Sequence, residues 1–181
     1  MAVKMPQPAG DSTKTVLAHV ENTLDPIIFP DSRVLLLGSM PSPKSREIGF
    51  YFGNPQNRFW RVVAALYGEK PLKSISEKID FCKRHHLALC DVLKACDIKG
   101  ASDASIANPI PHNIGALIQD SSICAIFTLG GTATKFYKRY TEQQTGIPAR
   151  QLPSTSPANA RMSVEDLVEE FSIIKKFTIV S

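Results

Sequence analysis

Residues 34–38 read Val-Leu-Leu-Leu-Gly, and this run limits the possible folds more than any other segment. A short apolar run with no polar alternation predicts a buried strand, and buried strands of this kind belong to parallel sheets covered by helices. Similar runs follow at 87–93 and 123–129, and 150–152 can supply a last short strand. Helical patterns separate them. Asn54-Pro55 predicts a helix start, running to about Tyr67 with Phe59, Val62, Val63 and Leu66 at helical spacing and Gly68 as its stop. Ser74-Ile-Ser-Glu77 is a capping box for a second helix to about His86, with Ile75, Ile79, Phe81 and Cys82 as its buried stripe. Further helices are predicted over 111–119, after Gly130-Gly131 with Phe136 and Tyr137, and over 163–176 behind the box Ser163-x-x-Asp166.

Residues 94–108 read as a polar loop. The resulting order, βααβαβαβα, implies right-handed crossovers and an α/β fold: a three-layer αβα sandwich with a central parallel sheet of about four strands. Residues 1–25 are expected to form a loose arm with a possible short helix at 13–22, 26–176 a single domain, and 177–181 a tail.

Composition narrows the classes. A chain of 181 residues is about one domain, and its net charge of +4 fits a modest polyanion-binding surface. Cys82, Cys90, Cys96 and Cys124 contain no Cys-x-x-Cys pair, so free thiols in a reducing cytoplasm are expected and an iron–sulfur cluster is not. His85 and His86 are adjacent, so on a helix they cannot both face one metal. No apolar run is long enough for a membrane span, and no signal-peptide pattern opens the chain. A cytoplasmic monomer with neither metal nor cofactor is the expectation.

Three loops carry the chemistry. Gly49-Phe-Tyr-Phe-Gly-Asn-Pro-Gln-Asn-Arg-Phe-Trp60 crowds aromatics, amides and an Arg into a loop–helix junction able to sandwich a flat ring. Gly38-Ser-Met-Pro-Ser42 leaves the carboxyl end of the first strand, where open α/β sheets bind ligands. Leu152-Pro-Ser-Thr-Ser-Pro-Ala-Asn-Ala160 precedes the last helix. Together these segments resemble the uracil-DNA glycosylase superfamily, most closely its hypoxanthine (deoxyinosine)-DNA glycosylase branch, over roughly 26–171.

The resemblance implies a monofunctional glycosylase of base excision repair acting on damaged double-stranded DNA, with the nucleotide extruded from the helix. It places Phe52 against the flipped base and Gly38, Ser39 and Met40 in the first loop, where sister branches carry Asn or Asp. Asn54 is then the candidate to hold the attacking water, although Asn before Pro is also a helix N-cap. Asn57, Phe59 and Trp60 read as structural. Ser154, Thr155 and Ser156 match the phosphate-gripping motif, where sister branches often carry His or Asn at position 154, and Pro157-Ala158-Asn159 matches the probe entering the duplex.

One departure stands out. The strand ending at Leu129-Gly130-Gly131-Thr132 has Leu where the branch usually presents an Asn that reads the base edge. This admits relaxed substrate choice, replacement by Asn108, Asn113 or Asn159, or loss of activity. Gly130 amides at a helix start could still receive an anion or carbonyl oxygen. The segment 99–106 resembles the family's Gly-Ser-x-Asp-Ser-x-Ile stretch, whose Asp103 could orient a loop or the sugar and reads first as part of a structural turn. Competing readings are a uracil or thymine-mismatch glycosylase of the same fold, a catalytically silent binder of damaged DNA, and a nucleotide-binding module, the last opposed by the lack of a P-loop or Gly-x-Gly-x-x-Gly pattern.

Overall fold

The computed structural model describes residues 16–179. A first strand, β1 (Ala18–Glu21), precedes β2 (Val34–Gly38), which leads into the helices α1 (Pro43–Ile48), α2 (Phe59–Leu66) and α3 (Ile75–Arg84). Strands β3 (Leu87–Asp91), β4 (Leu93–Lys99) and β5 (Ser102–Pro111) follow, then α4 (Ile114–Ile118), β6 (Ala125–Leu129), α5 (Gly131–Tyr140) and α6 (Glu142–Thr145). The chain closes with β7 (Ala149–Leu152), α7 (Val164–Phe171), a 3-10 turn (Ser172–Ile174) and α8 (Lys175–Thr178).

Four strands form the expected parallel sheet, in the order β3-β2-β6-β7. Side chains alternate across it. Val34 and Leu36 join Phe59, Val62, Val63, Leu167 and Phe171 on one side, whereas Leu35 and Leu37 join Ile114, Ile118, Ala133, Phe136 and Tyr137 on the other. Every residue of β2 is buried, because both faces are covered. Each fully buried Leu contributes about 1.5–3 kcal/mol relative to exposure. β2, one of the two inner strands, therefore ties the sheet to both helical layers.

Both predicted capping boxes are present, Ser74 with Glu77 before α3 and Ser163 with Asp166 before α7. The helix after Asn54-Pro55 begins later than expected, at Phe59. Asn54 instead accepts the amide of Gln56 in a turn, while Asn57 Oδ1 accepts the Phe59 amide and the Thr155 hydroxyl at 2.9 and 2.8 Å. Asn54 is thus not the helix N-cap. A contact with the distant Thr155 outweighs the local Asn-Pro signal.

Two further expectations are corrected. The described part of the 13–22 segment is extended: β1 pairs antiparallel with β4, and residues 13–15 lie outside the described residues. The run 87–93 is divided at Val92, and the expected polar loop 94–108 is a hairpin of β4 and β5. These strands and β1 form a second, antiparallel sheet in the order β1-β4-β5. Since only Val92 separates β3 from β4, the chain passes directly from one sheet into the other, carrying the hairpin tip to the carboxyl end of the parallel strands. At the far end, α8 is part of the fold: the Phe177 carbonyl accepts Arg33 Nε, and Thr178 bonds the Tyr67 hydroxyl. No described helix is long and apolar enough to cross a membrane.

Candidate active site

The carboxyl ends of β3, β2 and β6 open into a cavity of about 850 Å³. Its floor holds the last residues of these strands, Asp91, Gly38 and Leu129. Ser39, Met40, Phe52, Asn54, Asn57 and the loop from Ser154 to Asn159 complete most of the wall, with Ala101 to Asp103 from the hairpin and Arg161 at its rim. The three sequence loops therefore converge. Of the site residues expected from sequence, only Gly130 is absent from the lining: its amide donates to the Leu152 carbonyl at 2.8 Å and it backs onto Ser154. That amide is already committed, so it cannot receive a ligand.

Phe52 is half-buried and stacks on Phe59 with ring centroids 4.0 Å apart and planes 22° from parallel. Phe59 in turn meets Trp60 edge-on, and Trp60 Nε1 donates to the Tyr51 carbonyl. The aromatic cluster holds Phe52 although its φ is +52°, a left-handed conformation that costs a bulky residue on the order of 1–3 kcal/mol. Such a conformation persists only where the surrounding packing enforces it.

A second wall is built from hydrogen bonds. Arg58 sends its guanidinium to the carbonyls of Ser156 and Asn159 at 3.0 and 2.7 Å, and also to that of Met162. Its backbone amide donates to the Thr155 carbonyl at 3.0 Å. Four carbonyls of the loop are thereby turned toward Arg58. Ser154 Oγ accepts the Ser156 amide and Ser156 Oγ accepts the Ala158 amide, which leaves both hydroxyl protons available to a phosphate. Thr155 is different, since its buried hydroxyl donates to Asn57. The Asn159 side chain donates to the Ser154 carbonyl at 2.9 Å and so closes the loop, while Ala158 is exposed at its tip.

Two carboxyls enter the cavity, Asp91, which sequence reading did not assign to it, and Asp103, which it favoured as a structural turn. Asp91 is buried, with Oδ2 accepting from Asn22 at 3.1 Å. Desolvation, opposed by the Asn22 bond and reinforced by the Asp103 charge, pushes its pKa up to about 7. Asp103 Oδ2 accepts the Ser39 hydroxyl at 2.7 Å, and desolvation by burial raises its pKa despite that bond. The sequence signal for Asp91 was a lone acid between the apolar pairs Leu89-Cys90 and Val92-Leu93. Asp103 is visible in the sequence through the resemblance of 99–106, as a turn residue or one that orients the sugar.

Two of the three amides offered as replacements for a base reader at 129 are engaged away from the cavity, whereas Asn159 lines it. Asn108 donates to Asp97 on the hairpin, and Asn113 caps α4. Among the described residues, no three His, Cys, Asp or Glu side chains are grouped to hold a metal.

The family model for the uracil DNA glycosylase superfamily matches residues 26–173. A hypoxanthine DNA glycosylase from Methanosarcina acetivorans is 30% identical over 138 residues, covering 76% of this chain and 87% of the relative. Its counterpart from Methanosarcina barkeri is 29% identical, covering 75% and 86%. A solution NMR structure of a candidate uracil DNA glycosylase from Methanosarcina acetivorans superposes with a TM-score of 0.74 at 27% identity, over 86% of this chain and 97% of that one. The cavity at the strand ends, the aromatic wall and the hydroxyl loop all lie inside the matched span, and the chain belongs to the uracil DNA glycosylase superfamily.

Proposed function

We propose that this chain is a monofunctional DNA glycosylase that hydrolyses the N-glycosidic bond of deoxyinosine in double-stranded DNA, releasing hypoxanthine and leaving an abasic site. The observation that carries the reading is the Phe52 ring, backed by Phe59 and lining the same cavity as a loop with free hydroxyl donors. A flipped base needs such a flat face, and the phosphates flanking it need such donors. The names of the two Methanosarcina relatives support hypoxanthine as the base.

In this reading the bond between the sugar C1′ and the base nitrogen breaks, the electron pair leaves with the base, and water adds to C1′ and gives up one proton, which neutralises the departing base directly or through solvent. Phe52 holds the base, and Ser154 and Ser156 grip the backbone around Ala158 and Asn159. Asn54, with an amide nitrogen that has no partner among the described residues, holds the water beside the main chain of Ser39 and Met40. The positive charge growing on the sugar is met by the nearby phosphates and by oriented dipoles. No cofactor takes part in these steps.

A second reading, a silent binder of damaged DNA, draws on Leu129, which presents an apolar side chain to the cavity. Incubation with duplexes bearing hypoxanthine, uracil, xanthine or a thymine mismatch, followed by alkali cleavage of abasic sites, separates the possibilities. Strand cleavage at hypoxanthine alone is expected. Cleavage at uracil or thymine alone replaces the substrate, and tight binding without any cleavage replaces the enzyme with the binder.

A further inference from the structure

Helix α1 carries two cations with different fates. Lys44 is exposed and pairs with Glu47 at 3.0 Å. Arg46 has no such partner: no hydrogen bond or ion pair among the described residues engages its guanidinium, and its Nε is buried without an acceptor. Three side-chain atoms among the described residues share that condition, and the other two, Thr141 Oγ1 and Glu142 Oε2, belong to the α5–α6 junction. The residue as a whole is only half-buried, so packing holds the stem of Arg46 while its Nη end reaches solvent. A buried charged donor left unpaired weakens the fold, and a fold that keeps one needs a reason outside its own bonds.

The surroundings of Arg46 suggest that reason. Ser42, the N-cap of α1, and Ser45 both line the cavity, and Arg46 follows them in the last turn, adjoining the lining without belonging to it. Its charge is felt at the hairpin: burial raises the pKa of Cys96 on β4, as do Asp97 and Asp103, whereas Arg46 lowers it. Neither acid takes the guanidinium. Asp97 is engaged by His19 at 2.9 Å and Asn108 at 2.7 Å, and Asp103 Oδ2 accepts the Ser39 hydroxyl at 2.7 Å. The cation is thus fixed at the stem and unpaired at the head, beside the mouth of the cavity.

We propose that Arg46 is the binding site for one backbone phosphate of the lesion-bearing strand, at the rim formed by α1 and the hairpin. The proposal rests on the reading of the cavity as a base pocket. When a base enters the cavity, the phosphates on either side of it stay outside, at the rim. The loop from Ser154 to Ser156 offers neutral hydroxyls to one of them; Arg46 offers the other a full charge and two Nη groups in a planar fork, matched to the two free oxygens of a phosphodiester. Because its stem is already held, Arg46 loses little freedom on binding. Arg161 at the same rim is exposed along its length, so it arrives at DNA unfixed.

The test is equilibrium binding of the full chain to a duplex bearing one 2′-fluoro-deoxyinosine, whose fluorine slows glycosidic cleavage. Phosphates near the lesion are replaced one at a time, on either strand, by uncharged methylphosphonate. Wild type should lose about tenfold in affinity at the lesion-strand phosphate that Arg46 holds. Arg46→Met, which keeps an unbranched stem, should lose about tenfold on the natural backbone and almost nothing further at that phosphate. Its slope of log affinity against log salt should be shallower by about one. Equal sensitivity of the two proteins at every lesion-strand phosphate overturns the proposal, as does non-additivity confined to the complementary strand or an unchanged affinity of the variant. If Arg46→Met does not fold, Arg46→Lys takes its place, since an ammonium keeps the charge without the fork. A smaller methylphosphonate effect than in wild type at one lesion-strand phosphate supports the proposal; equal effects throughout overturn it.

Base release from natural deoxyinosine is measured in parallel. Coupling of Arg46 to one phosphate without release removes the hydrolase and leaves Arg46 as a contact of a DNA binder; release without coupling does the reverse. The absence of both removes both.

Discussion

The two long walls of the cavity are made by opposite means. Around Phe52 the wall is close packing, with Phe52 on Phe59 and Phe59 on Trp60, and its position follows from apolar burial. Around Ser154 to Asn159 only Thr155 is buried, and the shape comes from Arg58, Asn57 and Asn159 acting on loop carbonyls and hydroxyls. Packing tolerates substitutions of similar volume, whereas a polar network with one member removed leaves orphaned groups. The aromatic wall should therefore degrade gradually and the hydroxyl wall abruptly.

The sharpest way to break that contrast is Arg58→Ala. Losing three charge-assisted bonds to carbonyls should cost about 3 kcal/mol or more in stability and weaken binding to every duplex, whatever its lesion. Arg58→Lys should recover only part of this, because an ammonium cannot span the same carbonyls. Thermal melting with affinity for undamaged DNA checks both, and a mild loss confined to lesion-bearing DNA would collapse the distinction between the walls.

Acidity separates both walls from the floor between them. The Asp91 pKa is raised from the ordinary 3.8 to about 7, so its contribution to stability is complete below about pH 4 and is lost as pH rises through about 7. Between pH 4 and pH 8 this should remove on the order of 2–4 kcal/mol. Denaturant titrations should show Asp91→Asn losing less stability over that interval than wild type; equal slopes would mean that the carboxyl is ionised at no cost.

Phe52→Ala comes next. It should lower lesion turnover by roughly the stacking energy of about 1–3 kcal/mol while leaving affinity for undamaged DNA near wild type. Phe52→Gly should lose as much turnover but less stability, since glycine accepts φ +52° without strain. Single-turnover rates and melting curves of the pair separate stacking from strain.

The smallest effect is expected from Thr155→Val, which keeps volume while removing the hydroxyl given to Asn57 at 2.8 Å. A loss of about 1 kcal/mol in stability, without a change in base preference, would place this bond among the supports of the wall. A changed preference would bring Thr155 into contact with the base.

Legibility in the sequence followed the same physical division. The parallel strands were visible because both their faces are buried, which leaves an unbroken apolar signature, and α3 and α7 were visible because their capping boxes are local. The hairpin escaped because Ser102–Pro111 has no fully buried residue and carries Ser, Asp, Asn and Pro, the composition of a loop. Its strand character comes from pairing with β4, and that in turn from pairing with β1. Phe52 could be singled out from its aromatic, glycine-flanked surroundings. The work of Arg58 and Asp91 could not, because one depends on partners about a hundred residues away and the other on a neighbouring strand with no Cβ at Gly38.

The Arg58 bonds also set an order of events. Their partners are separated from it by 98 to 104 residues, so closing that loop requires most of the domain to be in place, and long closures are slow relative to helix formation. The hydroxyl wall is then among the last parts to be assembled. During synthesis, α2 and the aromatic residues beside it leave the ribosome well before residues 154–162 exist, so an emerging chain carries the stacking ring with no loop to grip a backbone.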